Sequence, residues 1–289
     1  SGSSWLRESL IPTRRVLAVA GTHGKTTASS MAAFIMDCCG ASPGFLIGGI
    51  PGNFPVSARL GESDWFVIEA DEYDTAFFDK RSKFLHYRPD VLLIGNLEFD
   101  HADIFSSLED IKKQFSHLLR SVPSNGIVVI NSDELNLRDV LAQGCWSKVV
   151  EFSCQDESCE WFAQAVTEDA SKFDVFQSGR LLGRVTWSLF GAHNMANALG
   201  AIASCSQAGV NPLEACRCLS DFELPKRRLE RLNSQGSIAL FDDFAHHPTA
   251  IKSTLKSIQA AAPGKRVIAV IEPRSNTMKL GSQQDLLSK

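Results

Sequence analysis

Residues 15–27 read RVLAVAGTHGKTT. The first six are an apolar run of the length and type of a buried strand, and Gly21–Gly24 supply a turn. From Lys25 the pattern becomes helical, with Met31, Phe34, Ile35 and Cys38 at i, i+3, i+4 and i+7 and Gly40 placed as a C-cap. Strand, glycine turn, Lys-Thr, helix is the arrangement that binds a polyphosphate. Glycines let backbone N–H groups turn inward without a Cβ clash, and the helix N-terminus favours an anion. Lys25 is then the cation for the β- and γ-phosphates and Thr26 the hydroxyl for Mg²⁺. Gly21, Thr22, His23, Gly24, Lys25, Thr26 and Thr27 form the expected cradle. Val19 stands where the longer G-x-x-x-x-G-K-[ST] spacing puts its first glycine, so the loop is the compact G-T-x-G-K-T form.

Working outward, 65–70 (WFVIEA), 91–95 (VLLIG) and 126–131 (GIVVIN) read as further buried strands. Ser107 to Asp110 fits a capping box, and Leu108, Ile111, Phe115 and Leu118 make the stripe of the helix that follows. Alternating strands and helices predict an α/β fold with a mostly parallel sheet covered on both faces. Residues 145–190 differ: short Val/Phe/Trp runs broken by polar turns predict a small antiparallel patch, with a hairpin at 177–179. Helices are expected at 193–208, ending at Gly209, and after Asn211-Pro212. A charged linker, ELPKRRLER, precedes a strand at 238–241, a helix at 248–261 and a strand at 267–271. The expected division is a central phosphate-loop domain over 1–222 and the start of a second domain over 224–289.

The chain has 289 residues, 44% of them hydrophobic and 21% charged, and a net charge of −4. That balance suits a folded protein and lacks the positive field that sequence-independent nucleic-acid binding needs. No apolar run approaches the ~18 residues of a membrane-spanning helix. The chain opens SGSS without a Met, reads as a piece of a longer protein and shows no signal peptide. None of the eight cysteines stands in a C-x-x-C pair. They are expected to be small buried residues in a reducing cytoplasm.

Glu69, Asp71 and Glu72 end the strand WFVIEA, and NLEFDH (96–101) ends the next. Polar groups on neighbouring strand ends converge at the carboxyl edge of a parallel sheet, where ligands bind. An acid there holds Mg²⁺ in phosphate-loop proteins, and His101 is a candidate ligand of a second Mg²⁺. The Lys25 ammonium is expected to face the groove that Glu69 and His101 share.

The ordered strings GTHGKTT, EADEYD, NLEFDHAD, GAHNMANA, KRRLE and DDFAHHPTAI resemble the ATP-dependent Mur ligases of peptidoglycan synthesis. Within that family, FLIGGIPGNFPVSARLGESD and EPRSNTMK are similar to the branch whose acceptor is L-alanyl-γ-D-glutamyl-meso-diaminopimelate. The branch that adds L-alanine is the alternative. A phosphate-loop switch ATPase and a folate-polyglutamating ligase are alternatives of other kinds. The resemblance implies three domains, with the N-terminal UDP-binding one absent here and a Rossmann-like third one incomplete. It also implies ATP, two Mg²⁺, UDP-N-acetylmuramate as donor and an acyl phosphate on the way to the amide.

By the same resemblance, Lys25, Glu69, His101 and Arg228 carry the chemistry, and Thr26, Glu69 and His101 hold the ions. His193, Asn194 and Asn197 match residues around the nucleotide, as do Arg227 beside Arg228 and Asp243. Gly49 and Asn53 are expected to line the sugar-nucleotide pocket, His246 to line the site, and Arg274 to contact the acceptor or the hinge. Adjacent His246 and His247 point apart on a strand, so one metal is not expected to bind both. Two departures stand out. The position at which several relatives carry a carbamylated Lys falls near Phe115, and Phe244 replaces a frequent Tyr.

Overall fold

The computed structural model describes residues 1–232, 238–273 and 276–279. In chain order the elements are α1 (Gly2–Trp5), β1 (Arg15–Ala20), α2 (Lys25–Cys38), β2 (Gly44–Leu46), β3 (Ala58–Arg59), β4 (Trp65–Glu69), β5 (Asp74–Ala76), β6 (Asp79–Ser82) and β7 (Val91–Ile94). Then come α3 (Leu108–Ser121), β8 (Ile127–Asn131), α4 (Leu135–Ala142), β9 (Lys148–Ser153), β10 (Trp161–Ala165), β11 (Lys172–Gln177), β12 (Arg180–Thr186), α5 (Ala192–Gln207) and α6 (Pro212–Cys218). The chain continues with β13 (Glu230–Leu232), β14 (Leu240–Asp242), α7 (Pro248–Ala261) and α8 (Asn276–Lys279).

One sheet runs β12-β11-β10-β9-β8-β7-β1-β4-β2-β3. Its centre, β9 through β2, is parallel. Alternate residues of β1 serve opposite faces: Leu17 and Val19 enter one core with α2 and α5, and Val16, Ala18 and Ala20 enter the other with α3. Burial on both sides explains why these strands read as unbroken apolar runs. β1 lies between β4 and β7, with Val19 opposite Glu69 and Ala20 opposite Ile94. The turn after β1 is therefore flanked by both strand ends that carry polar groups.

α2 begins on Gly24 and closes as expected on Gly40, a left-handed C′ residue (φ 81°). The Gly40 N–H reaches the Asp37 carbonyl and the Ala41 N–H the Met36 carbonyl, which is the Schellman pattern. Ser107 caps α3 by accepting the Asp110 N–H, and Asn211 caps α6. The hairpin falls between β11 and β12 on Ser178 and Gly179, both at positive φ, as a two-residue type I′ turn requires.

The expected antiparallel patch is β10–β12, which extends the main sheet because β10 pairs parallel with β9. Two expectations are corrected. Residues 267–271 form no strand, and Ile268 and Val270 lie largely in solvent, because no described strand runs alongside to take their backbone groups. The strand after the linker instead pairs antiparallel with it, β13 against β14. Finally, the cysteines are not all thiols. Cys38 is exposed at the end of α2 and is bonded to Cys218 at the end of α6, and the Cys39 sulfur lies 3.8 Å from that of Cys218. The helical stripe that placed Cys38 in the core stops one turn earlier, at Ile35.

Candidate active site

The phosphate-loop turn is stitched to the end of β7. Asn96 Oδ1 accepts the His23 N–H (2.8 Å) and its Nδ2 donates to the His23 carbonyl (3.0 Å). The Thr22 hydroxyl donates to the Glu98 carbonyl and accepts the Glu98 N–H. Gly24 needs its missing side chain twice over, being left-handed (φ 75°) with Asn197 Oδ1 only 2.6 Å from where a Cβ would sit. Asn197 on α5 thus abuts the loop. Thr27 is buried in the first turn of α2.

Two polar clusters stand at this edge. In the first, Thr26 Oγ1 donates to Glu69 Oε1 (2.9 Å), Glu69 Oε2 accepts the Gly48 N–H (2.7 Å), and Arg228 Nη2 reaches Thr26 Oγ1 (3.3 Å). Gly49 packs on the Thr26 methyl so closely that a Cβ would lie 2.8 Å from it. In the second, the Lys25 ammonium donates to the Gly21 carbonyl (2.7 Å) and to Glu72 Oε2 (2.8 Å), while Glu72 Oε1 meets His101 Nε2 (3.0 Å). His101 is held at φ 57° by its own N–H on Asp100 and lies beside the Tyr73 ring.

Glu72, 2% exposed, is the residue that sequence reasoning underrated. It was one of three acids in a single turn, and only the register of β4 decides which one meets Lys25. Burial by itself would raise its carboxyl, yet Lys25 and His101 hold it down at about 2. The same contacts raise Lys25 and His101 against the burial that opposes them. Lys25 does not face a groove shared by Glu69 and His101: its mostly covered ammonium meets Glu72, whose other oxygen meets His101, while Glu69 lies with Thr26 in the other cluster. Burial lowers the Arg228 guanidinium, with Asp243 and Glu69 opposing.

The remaining predicted residues divide. Asp243 accepts from Thr254 Oγ1 and the Ala245 N–H and lies in the field of Arg228. His246 stands 3.9 Å from Asp100. Arg227 turns away to pair with Asp242, and both Arg227 and Arg228 lie over the Phe244 ring. His193 is half-buried against Ser253 and Ser257 of α7, and Asn194 is spent on the Phe190 carbonyl. The Asn53 amide is likewise engaged, with the Asp221 carbonyl and the Glu223 N–H, and so ties the glycine loop to the linker. Phe115 is in the core against Phe84. Arg274 lies outside the described residues.

Donor chemistry at the first cluster suits Mg²⁺. Two oxygens 2.9 Å apart match neighbouring corners of an octahedron with ~2.0–2.1 Å bonds. His101 sits with Glu72 rather than against Glu69, so the second cluster offers one imidazole and one carboxylate.

Comparison with known proteins agrees with this geometry. A family profile described as the Mur ligase middle domain matches residues 19–205, and one described as the Mur ligase glutamate ligase domain matches 227–283. The whole chain is 53% identical to the UDP-N-acetylmuramate–L-alanyl-γ-D-glutamyl-meso-2,6-diaminoheptandioate ligase of Escherichia coli strain K12 and covers 63% of that protein. It is 34% identical over 94% of its length to the UDP-N-acetylmuramate–L-alanine ligase of Desulfitobacterium hafniense, covering 59% of it. A solved murein peptide ligase from Psychrobacter arcticus superposes with a TM-score of 0.79 at 43% identity, over all of this chain and 63% of its own. The chain therefore spans somewhat under two thirds of the length of these relatives. With the phosphate loop, the two strand-end clusters and both profiles in the same order along the sequence, it belongs to the Mur ligase family.

Proposed function

We propose that the chain is the nucleotide-binding and hinge portion of an ATP-dependent amide ligase that joins UDP-N-acetylmuramate to L-alanyl-γ-D-glutamyl-meso-diaminopimelate in peptidoglycan recycling. The observation that carries this reading is the meeting of Thr26, Glu69 and Arg228 beside Lys25, Glu72 and His101 at one sheet edge. The preference for the tripeptide over alanine rests on 53% against 34% identity to the two kinds of relative. The cytoplasm is the proposed location; no helix among the described residues is long and apolar enough to cross a membrane.

In this reading the donor's lactoyl carboxylate attacks the γ-phosphorus of ATP and displaces ADP, and the acceptor amine then attacks the acyl carbon, loses a proton and expels inorganic phosphate. The difficulty is electrostatic, since a carboxylate must approach a polyanion. Lys25 and Arg228 bring two cations to the loop from opposite sides of the chain order. Thr26 and Glu69 would hold one Mg²⁺, and His101 with Glu72 offers donors for a second. Bound there, the ions would neutralise developing charge on the phosphate oxygens. Gly48 orients Glu69 through its N–H, and Asn96 fixes the turn, so these groups need little reorganisation.

Phosphate release by the full-length protein tests the proposal. It should require ATP, UDP-N-acetylmuramate and the tripeptide together. Turnover with L-alanine in preference to the tripeptide would move the protein to the other branch, and hydrolysis without any carboxylate donor would make it a switch ATPase.

A further inference from the structure

A third polar cluster lies beside the two described, and the proposed ligation uses neither its Glu98 nor its His247. His23 in the phosphate loop, Glu98 after β7 and His247 at the start of α7 bring one ligand atom each to within 4.8 Å of one another. Glu98 Oε2 is 3.8 Å from His23 Nε2 and 3.5 Å from His247 Nδ1, and the two imidazole rings are 4.4 Å apart. Zinc with bonds of ~2.0–2.1 Å needs ligands roughly 3.4 Å apart, close to the two separations from Glu98, and the imidazole nitrogens, within 4.8 Å of each other, would draw together on binding.

Two details set this group apart from an ordinary ion pair. His23 Nε2 is buried and has no hydrogen-bond partner, an arrangement that costs stability unless something else is bound there. His247 Nε2 donates to the Phe99 carbonyl (3.1 Å), which fixes the proton on that nitrogen and leaves the lone pair on Nδ1. An outer carbonyl holding the far nitrogen is how metal-ligating histidines are usually oriented. Thr249 supports the carboxylate in the same way, its hydroxyl donating to Glu98 Oε2 (2.6 Å). The one contact an ion would displace is the long 3.3 Å bond from the Thr249 N–H to His247 Nδ1.

We infer that His23, Glu98 and His247 form a site for a zinc-class divalent ion, separate from the magnesium donors, that clamps the phosphate loop to the N-terminus of α7. Two imidazoles and one carboxylate favour zinc, cobalt or nickel over magnesium, which prefers oxygen. A fourth position is left for water or an anion. The inference rests on these three side chains and not on the ligase reading.

The test is titration of the intact protein with Zn²⁺ and Co²⁺ in millimolar magnesium. One equivalent should bind, with affinity at least 100-fold weaker in Glu98→Gln and in His247→Asn, and zinc should raise the melting temperature of the unsubstituted protein only. X-ray absorption on the zinc-loaded unsubstituted protein needs no variant to fold. It should show two imidazoles and oxygen. Sulfur in the zinc shell would assign the ion to the cysteines and overturn the inference, as would uptake that is unchanged in both variants or absent in the unsubstituted protein.

Discussion

Arg228 Nη2 stands 3.3 Å from Thr26 Oγ1, although 202 residues separate the two in the chain. The linker reaches the phosphate loop through a sharp bend, with Arg227 and Leu229 on either side of Arg228 both left-handed (φ 59° and 51°). Such backbone is kept only where its surroundings enforce it. Replacement of Arg228 by Ala should lower kcat/KM of the full-length protein in the proposed ligation ~10–100-fold, the worth of one charged hydrogen bond at ~1.5–3 kcal/mol. Lys should restore little of this, because an ammonium cannot reproduce the fork. Steady-state kinetics with melting curves separates this from a folding defect; an Arg228→Ala enzyme of normal activity would remove the arginine from the site.

Glu72→Gln should destabilise the fold by about 3 kcal/mol, since it leaves the covered Lys25 ammonium without its counter-charge. Pairing it with Lys25→Met should recover much of that loss, because both charges are then gone. Urea unfolding of the two single variants and the double variant measures the coupling. An additive double variant would mean that the contact carries no energy.

The neutral form of His193 is favoured by burial, which lowers its pKa against the opposing pull of Asp243. The unfolded chain therefore takes up a proton first as pH falls. The stability this group contributes is present above pH ~6.5 and is lost as pH drops through its lowered folded value. Melting of the unsubstituted protein between pH 7.5 and 5.5 should fall more steeply than that of His193→Gln. Equal slopes would show that α5–α7 packing does not depend on this imidazole.

Reduction of Cys38–Cys218, which closes a loop across 180 residues of sequence, should cost ~2–5 kcal/mol of stability. Thiol counting under denaturing conditions before and after reduction should show a gain of two. Cys39 lies near enough to join an exchange in which its thiolate attacks Cys218 and releases Cys38. Peptide mapping should therefore find both pairings after brief incubation at alkaline pH.

The central sheet was legible in the sequence because strands buried on both faces write continuous apolar runs. Caps at Ser107, Asn211 and Gly40 were legible because each acts within its own turn. What escaped depends on partners far along the chain. The ribbon at 161–186 joins the main sheet through a few residues of β9, and the run at 267–271 meets no strand. Glu72 hid among three acids, and Cys38 finds a partner that no spacing rule names. His246 and His247 were weighed only as a pair on a strand, yet His247 caps a helix, where its ring is held beside that of His23.

Asn53 grips the backbone on both sides of residue 222 with the two ends of its amide, while Gly48, five residues earlier, donates to Glu69. Glycine loop and linker are thereby mechanically one part. Beyond 224 the same loop is held again, its Ile50 carbonyl accepting the Lys226 N–H (3.0 Å), so a displacement of that segment would be felt by the loop whose Gly48 amide meets the carboxylate beside Thr26. Linker position and carboxylate geometry are thereby coupled through one short stretch of glycine-rich backbone.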